Sequence, residues 1–138
     1  MIFYFFTYSA KLISARLKEA KIKHGWIYSG TKDSRTVLRR FDTDPDCRVL
    51  LVQNRSGSEG LNLQVARVVI FYENSLSVIE REQAEKRCWR QGQQHRVFQY
   101  DLVVRNTVDQ RILDFHKEGK DIFKAVIADP MSVIRPDD

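Results

Sequence analysis

Several features that mark common protein classes are scarce in this sequence. It has only two cysteines, Cys47 and Cys88, which lie far apart and outside any Cys-x-x-Cys pair. We therefore expect buried free thiols in a reducing cytosol rather than a disulfide framework. The three histidines are scattered and give no metal-ligand spacing, so no zinc or other metal site is predicted.

Long hydrophobic runs are also missing. The apolar start, Ile2 to Phe6, is far shorter than the ~20 apolar residues of a membrane span, and it lacks a charged leader. We expect a buried strand at this position. The expected location is the cytoplasm, in a bacterial or phage-infected cell, or the nucleus if the source is eukaryotic.

A complete phosphate-binding loop for a nucleotide is absent as well. Such a loop reads Gly-x-x-x-x-Gly-Lys-Ser/Thr and works with an acidic pair that holds magnesium. Gly119-Lys120 comes nearest, but Asp114 stands where the first glycine is required and Asp121 where serine or threonine is required. We interpret Gly119 instead as the residue that ends a helix.

The residues that are present describe one ordinary soluble domain. Of the 138 residues, 43% are hydrophobic and 30% are charged, which is enough to bury a core in a single domain. The net charge of +5, from 23 basic and 18 acidic residues, permits contact with a phosphate backbone without demonstrating it.

Short apolar runs alternate with amphipathic stretches along the chain. Strands are predicted at residues 2–8, 26–28, 48–53, 67–72 and 96–102. Helices are predicted at 9–23, 33–41, 77–90 and 107–117, the third with a capping box of Ser77 and Glu80. This order predicts an α/β fold with a mostly parallel sheet and helices on both faces, in which ligands bind beyond the carboxyl ends of the strands.

Three polar side chains share one face of the predicted 77–90 helix. Gln83, Arg87 and Arg90 are spaced by four and then three residues. Other charges on this helix form surface pairs four residues apart: Arg81 with Glu85, and Glu82 with Lys86. Arg87 and Arg90 are left without a partner on the helix, so they either face phosphate or are ordinary surface cations.

A glycine-punctuated loop follows the predicted strand at 48–53. In Gly57-Ser58-Glu59-Gly60, backbone N–H groups can point toward an anion, as they do in other loops that follow a strand. A tight turn with no ligand is the simpler interpretation of an isolated Gly-x-x-Gly. The loop by itself does not decide between the two.

Together, the two motifs resemble the second RecA-like lobe of superfamily-two helicases, in particular the Swi/Snf-type DNA translocases. The matching parts are Gly60-Leu61-Asn62-Leu63, the strand from Val68 to Tyr72, and Gln83…Arg87…Arg90-Gln91-Gly92-Gln93. Further matches run through nearly the whole chain: Phe5-Phe6-Thr7, Tyr28-Ser29-Gly30, Phe41 to Val52, and Thr107 to Leu113. The sequence departs from the family pattern at Trp89, Gln91 and Ser58-Glu59.

The resemblance implies an α/β, RecA-like three-layer lobe at residues 1–120 and a partly packed tail at 121–138. Arg87 and Arg90 take the positions of arginine fingers that reach the γ-phosphate of ATP across a cleft. The implied nucleotide contacts are Gln83, Glu59, Gly60 and Asn62. The implied DNA-backbone contacts are Thr7, Ser29, Gly30, Arg55 and Ser56.

ATP and Mg²⁺ would be held mainly by a first RecA-like lobe, which this sequence does not contain. The expected function is therefore the second lobe of an ATP-dependent DNA helicase or translocase, inactive alone, with DNA and a first lobe as its partners. The chain is then a piece of a longer protein, or a short reading frame that pairs with a separate first lobe. A stand-alone, non-catalytic DNA- or protein-binding module is the alternative. A purely oligomer-forming domain is a third, which leaves the two arginines unexplained.

Overall fold

A computed structural model of the chain describes residues 1–55, 60–120 and 122–129. It contains a five-stranded parallel sheet with the strand order β2-β3-β1-β4-β5. The elements in chain order are β1 (Ile2–Tyr4), α1 (Thr7–Glu19), β2 (Lys23–Ile27), α2 (Ser34–Thr43), β3 (Cys47–Gln53), β4 (Val68–Phe71), α3 (Val78–Cys88), β5 (Phe98–Asp101), α4 (Val108–Lys117) and α5 (Ile122–Ala128). The predicted α/β class and parallel sheet are confirmed.

The sheet is covered on its two faces by different helices. On one face, Ala10, Ile13 and Leu17 of α1 pack with Tyr4 and Leu51. The opposite face carries the larger part of the core, which takes in α2, α3 and the segment before β4; its buried members include Phe3, Leu50, Val52, Leu61, Leu63, Val69, Phe71, Ala84 and Cys88. Right-handed crossovers between parallel strands produce this division. From β1 to β2 the chain moves in one direction across the sheet, which places α1 on one face. From β2 to β5 it moves in the opposite direction, which places α2 and α3 on the other face.

The first strand is shorter than the sequence predicts. Residues 2–8 form one apolar run, yet β1 ends at Tyr4 and α1 begins at Thr7. The carboxylate of Glu73 accepts hydrogen bonds from the backbone N–H groups of Phe5 at 3.0 Å and Phe6 at 2.9 Å, and from the Ser9 hydroxyl. A distant acid therefore fixes the turn from strand to helix, which no local pattern reveals.

The third helix ends two residues earlier than predicted. Ser77 caps α3 as expected, since its hydroxyl accepts the Glu80 N–H at 3.4 Å. The helix stops at Cys88, because Trp89 adopts extended backbone (φ −116°, ψ 118°) and packs against the core. Arg90 therefore leaves the helical face that it was predicted to share with Gln83 and Arg87.

The chain after α4 follows the predicted pattern as far as the structure describes it. Gly119 has φ +66° just past α4, which confirms it as a helix-ending glycine. The apolar cluster of the tail forms α5. Residue 121 and residues 130–138 lie outside the described residues, and the division at residue 120 stays a prediction.

Both cysteines are buried, as the sequence predicts. Burial raises the pKa of the Cys88 thiol to about 12 and also raises that of Cys47. Because only a thiolate is an effective nucleophile, both side chains act as small apolar core residues. Among the described residues, no helix combines the length and apolar character that crossing a bilayer requires.

Candidate functional site

The guanidinium group of Arg87 is half-buried at the end of α3. Its Nη1 atom is buried and makes no hydrogen bond to any residue that the structure describes. Burial lowers the pKa of Arg87 from its ordinary value, and the part of the chain that the structure describes offers it no acidic partner. A desolvated cation of this kind is costly, and an incoming anion would satisfy it.

The segment Gly60 to Ala66 packs directly against this end of α3. Leu61 and Leu63 are buried in the core and anchor the segment. The N–H of Leu63 donates to the carbonyl oxygen of Arg87 at 3.2 Å, and the Gln93 amide donates to the carbonyl oxygen of Gln64 at 3.5 Å. The two motifs predicted to act together are thus joined by backbone contact.

Gly60 and Asn62 are exposed at the outer side of this segment. Gly60 has φ +62°, a conformation that favours glycine. The Asn62 Oδ1 atom accepts the Gln64 N–H at 3.1 Å, so Asn62 shapes a local turn. Both residues line a shallow pocket with Arg35 and Arg39 of α2. The sequence analysis missed these two arginines, although their spacing of four places them on one helical face.

A second group of candidates lies at the carboxyl edge of the sheet, where the strands end. Thr7 follows β1, Ser29 and Gly30 follow β2, and Arg55 follows β3; the first three are exposed. The N–H of Ser29 is 3.4 Å from Gln53 Oε1. Arg55 pairs with Glu80 at 3.0 Å while remaining largely exposed. These four predicted DNA contacts are therefore brought together on neighbouring strand ends.

Comparison with known proteins shows which family has this arrangement of motifs. Residues 1–92 match the family described as "Helicase conserved C-terminal domain". The chain belongs to this family. The matched residues, together with the relatives described below, identify it as a C-terminal lobe of a superfamily-two helicase of the Swi/Snf type, as predicted.

The relatives of this helicase lobe are much longer proteins. It is 37% identical over 93 residues to "Chromatin-remodeling ATPase INO80" of Candida albicans, covering 67% of this chain and 7% of that protein. It is also 37% identical over 90 residues to "Lymphoid-specific helicase" of Homo sapiens, covering 65% of this chain and 11% of that protein. Both relatives are eukaryotic, and they give no support to the expected bacterial or phage setting.

A solved structure supports the fold of the helicase lobe. The C-terminal part of the Fun30 ATPase domain superposes with a TM-score of 0.75 at 24% identity, covering 82% of this chain and 37% of that one. The two share the RecA-like arrangement of a parallel sheet between helices.

The remaining predicted nucleotide contacts of the helicase lobe are dispersed. Gln83 is exposed on α3, and Arg90 is exposed on the turn that follows the helix. In that turn, Gly92 has φ +91° and the N–H of Gln93 donates to the Arg90 carbonyl oxygen at 3.2 Å. Glu59, and with it the predicted DNA contact Ser56, lies outside the described residues.

The helicase lobe places its two groups of candidates at opposite edges of the sheet. α3 starts beyond the carboxyl end of β4 and runs back, so that its last residue, Cys88, lies beside the α-amino group of Met1 at the amino edge. Arg87 is therefore at the amino edge, whereas Thr7, Ser29 and Arg55 are at the carboxyl edge. The expectation that ligands bind beyond the carboxyl ends of strands therefore covers the predicted DNA contacts and not Arg87.

Arg81 of the helicase lobe was predicted to be a surface residue, and this prediction is wrong. Its pairing with Glu85 is confirmed at 2.8 Å, yet the Arg81 side chain is only 7% exposed. Its guanidinium also donates to Asp101 at 2.6 and 3.2 Å and to Asn74, and it lies 3.5 Å from the centre of the Phe71 ring. Partners from β4, β5 and a loop enclose it, so sequence spacing along α3 could show only one of them.

Proposed function

We propose that this helicase lobe completes the ATPase site of a DNA translocase by presenting Arg87 to the transferring phosphate. The observation that carries the proposal is the buried Nη1 atom of Arg87, which has no hydrogen bond within residues 1–55, 60–120 and 122–129. A guanidinium stays charged even when desolvated and binds phosphate oxygens in a bidentate way. The phosphate would therefore supply the partner that the described residues do not.

ATP and Mg²⁺ would be held mainly by a first lobe that carries the phosphate-binding loop and the acidic pair. In this lobe, no cluster of three or more His, Cys, Asp or Glu side chains that could hold a metal occurs within residues 1–55, 60–120 and 122–129. In this proposal, the residues of this lobe orient and neutralise the phosphate. Bound Mg²⁺ would neutralise charge on the β- and γ-phosphates.

The other predicted nucleotide contacts contribute less to the proposed ATPase site than Arg87 does. Arg90 would act as a second finger, and its exposure means that solvent screens its charge more than that of Arg87. Gln83, Gly60, Asn62 and Glu59 would line the edge of the nucleotide. The exposed backbone of Gly60 leaves room for such an approach, because a Cβ atom added there would meet no atom of the described residues within 4 Å.

DNA would bind at the carboxyl edge through its phosphate backbone. Thr7, Ser29, Gly30, Arg55 and Ser56 would make these contacts, which position a duplex or strand without reading its sequence. Relative motion of the two lobes would then shift the DNA during each ATP cycle. Because the relatives named above include chromatin-remodelling ATPases, we place a eukaryotic version of this protein in the nucleus.

An ATPase assay with a matching first lobe tests the proposal. The isolated chain should show no turnover, and joining it to the first lobe should give DNA-stimulated hydrolysis. Arg87→Ala in the joined protein should lower the turnover rate by about 10³-fold or more. Arg16→Ala is the matched control, because Arg16 is an exposed arginine on the opposite face and its loss should leave turnover unchanged.

Two outcomes would contradict this assignment. Robust hydrolysis by the isolated chain would show that the site is not shared between lobes. Wild-type turnover after combined Arg87→Ala and Arg90→Ala substitution would remove the finger role. The alternative of a stand-alone binding module predicts salt-sensitive DNA binding that no first lobe converts into hydrolysis.

A further inference from the structure

Apolar side chains of β4 point to the face of the sheet that carries α1. Val69 and Phe71 are buried in the core on the opposite face, beneath α2 and α3. Successive side chains of a strand point to opposite faces, so Val68 and Ile70 point to the α1 face. Val68 is nevertheless 44% exposed, which shows that α1 does not reach across to β4.

The neighbouring edge strand, β5, follows the same alternation. Gln99 donates a hydrogen bond to a carboxylate of α3, so Phe98 and Tyr100 point to the α1 face. Parallel pairing places Phe98 beside Val68, and Tyr100 beside Ile70. These four apolar side chains, Val68, Ile70, Phe98 and Tyr100, form one continuous block, the β4–β5 patch.

The β4–β5 patch is uncovered, whereas the other half of the same face is not. Phe98 is 51% exposed and Tyr100 is 54% exposed. Beneath α1, by contrast, Tyr4 and Leu51 are fully buried. The strands of an all-parallel sheet are ordinarily covered by helices on both faces. The patch is therefore the part of this sheet where one covering helix is missing from the described residues.

The adjoining flank of α1 extends the apolar surface. The Ser9 hydroxyl donates to Glu73, which follows β4, whereas the Ser14 hydroxyl lies 2.8 Å from His24 Nε2 on β2. The Ser9 side of α1 is therefore turned toward β4. Leu12, three residues after Ser9, lies on this side and is 50% exposed. A second helix placed beside α1 would bury Leu12 together with the β4–β5 patch.

The size of the uncovered area fits a single α-helix. Adjacent strands are about 4.8 Å apart, and a helix with its side chains is about 10 Å wide, so one helix covers about two strands. Each of the two strands is four residues long, or about 13 Å. At 1.5 Å per residue, a helix of about nine residues or more spans that length.

Two exposed arginines mark the amino end of the β4–β5 patch. Arg67 immediately precedes β4, and Arg96 lies two residues before β5. The carbonyl oxygen of Arg67 accepts the N–H of Phe98 at 2.8 Å, which holds the two segments side by side. Neither arginine forms an ion pair within the part of the chain that the structure describes. Their charges favour a partner whose matching end is acidic.

We propose that the β4–β5 patch binds an amphipathic helix with an acidic end, carried by the polypeptide that supplies the first lobe. The relatives named above contain far more chain than this lobe, which spans 7% and 11% of their lengths. Apolar side chains of the helix would cover Phe98 and Tyr100, and its acids would lie beside Arg67 and Arg96. The source of the helix rests on the pairing with a first lobe in the proposed function.

Thiol labelling tests whether the β4–β5 patch becomes covered. Because Cys47 and Cys88 are buried, Tyr100→Cys introduces the reactive thiol, and a fluorescent maleimide measures its rate of reaction. The rate should be at least about tenfold lower in the protein joined to a matching first-lobe polypeptide than in the isolated chain. Equal rates in the two proteins would overturn the proposal.

Lys18→Cys is the matched control for the labelling. Lys18 is exposed and lies four residues after Ser14, on the flank of α1 that is turned away from the β4–β5 patch. Its rate should be the same in the isolated chain and in the joined protein. Equal slowing at Lys18→Cys and Tyr100→Cys would show general shielding by the added polypeptide, and would also overturn the proposal.

Binding between the isolated chain and a separately made first-lobe polypeptide tests the chemistry of the patch. Tyr100→Glu should weaken binding by about tenfold or more, and Tyr100→Phe should leave it unchanged, because an apolar ring is what the helix covers. Arg96→Glu should weaken binding more at low salt than at high salt. Undiminished affinity in Tyr100→Glu, or no association of the wild-type polypeptides, would refute the proposal.

A second copy of the chain is the competing occupant. Sedimentation equilibrium of the isolated chain distinguishes it. A monomer at micromolar concentration is the expected result. A dimer that Tyr100→Glu dissociates would assign the β4–β5 patch to self-association and would contradict the proposal.

The outcome is separable from that of the ATPase test. Labelling uses neither nucleotide nor DNA, so wild-type turnover after Arg87→Ala would remove the finger role and leave the protection of Tyr100→Cys intact. Conversely, restored hydrolysis in a joined protein whose Tyr100→Cys thiol stays fully reactive would remove the docked helix and leave the finger role standing.

Discussion

Arg81 and Arg87 lie six residues apart on the same helix, and their surroundings are opposite. The Arg81 guanidinium is enclosed by Asp101, Glu85 and Asn74 and lies on the Phe71 ring. The Arg87 guanidinium is half-buried, and one of its nitrogens makes no hydrogen bond within the described part of the chain. The first is fully engaged in holding α3 to the sheet, so only the second remains available to a ligand.

The difference arises from what each turn of α3 faces. The middle of the helix crosses β4 and β5, where Asp101 and Gln99 point toward it. The end of the helix, at Arg87 and Cys88, reaches the amino edge, where it meets Leu63 and Met1 at the start of β1. An arginine placed among apolar groups costs stability, and a binding site is one reason to retain such a cost.

Replacing Arg81 should produce the largest effect on stability. Breaking a fully buried pair costs about 3–5 kcal/mol, and because Asp101 and Glu85 are partly exposed, we expect Arg81→Met to lower the free energy of unfolding by about 2–3 kcal/mol. Urea denaturation measures this change. Arg16→Met, at an exposed ion pair, should change it by less than about 1 kcal/mol. A loss at Arg81 no greater than that of the control would show that the enclosure does not stabilise the fold.

Replacing Arg87 should have a smaller effect, and in the opposite direction. Arg87→Met removes a buried donor that has no partner among the residues the structure describes, so the free energy of unfolding should stay the same or rise by up to about 1 kcal/mol. The same urea titration measures it. A destabilisation as large as that of Arg81→Met would mean that Arg87 has a structural partner, and would weaken its proposed role at the phosphate.

The smallest expected effect is a dependence of the free energy of unfolding on pH, which arises from His116 beside Arg81. Burial, and then the positive charge of Arg81, lower the pKa of His116, although Glu85 and Asp101 act to raise it. The unfolded chain therefore binds a proton on His116 more readily than the folded one. Stability should fall as the pH drops below the ordinary histidine value of about 6.5.

Thermal unfolding between pH 7.5 and 5 measures this dependence. His116→Phe should flatten it, since phenylalanine cannot titrate. Arg81→Met should flatten the pH dependence in part, because the positive charge of Arg81 is one cause of the lowered pKa of His116. An unchanged slope in His116→Phe would assign the dependence to other groups.

Local patterns in the sequence predicted much of the architecture. Alternating apolar and amphipathic stretches placed the five strands and the first four helices, and Ser77 and Gly119 marked the helix ends that the structure confirms. The loop at 57–63 and the helix carrying Gln83, Arg87 and Arg90 together predicted the family. The same reasoning failed for the end of β1, the burial of Arg81 and the exit of Arg90 from its helix.

What the sequence determined by itself is the set of elements and the motifs they carry, because periodicity, capping and glycine conformation act over a few residues. Only the tertiary structure decided which charges are satisfied. Glu73 reaches Phe5 across 68 positions of the chain, and Asp101 reaches Arg81 across 20. Arg87 meets no such acid among the described residues. Pairing of a charge depends on which elements pack beside it, and that is fixed by the sheet order rather than by the neighbouring sequence.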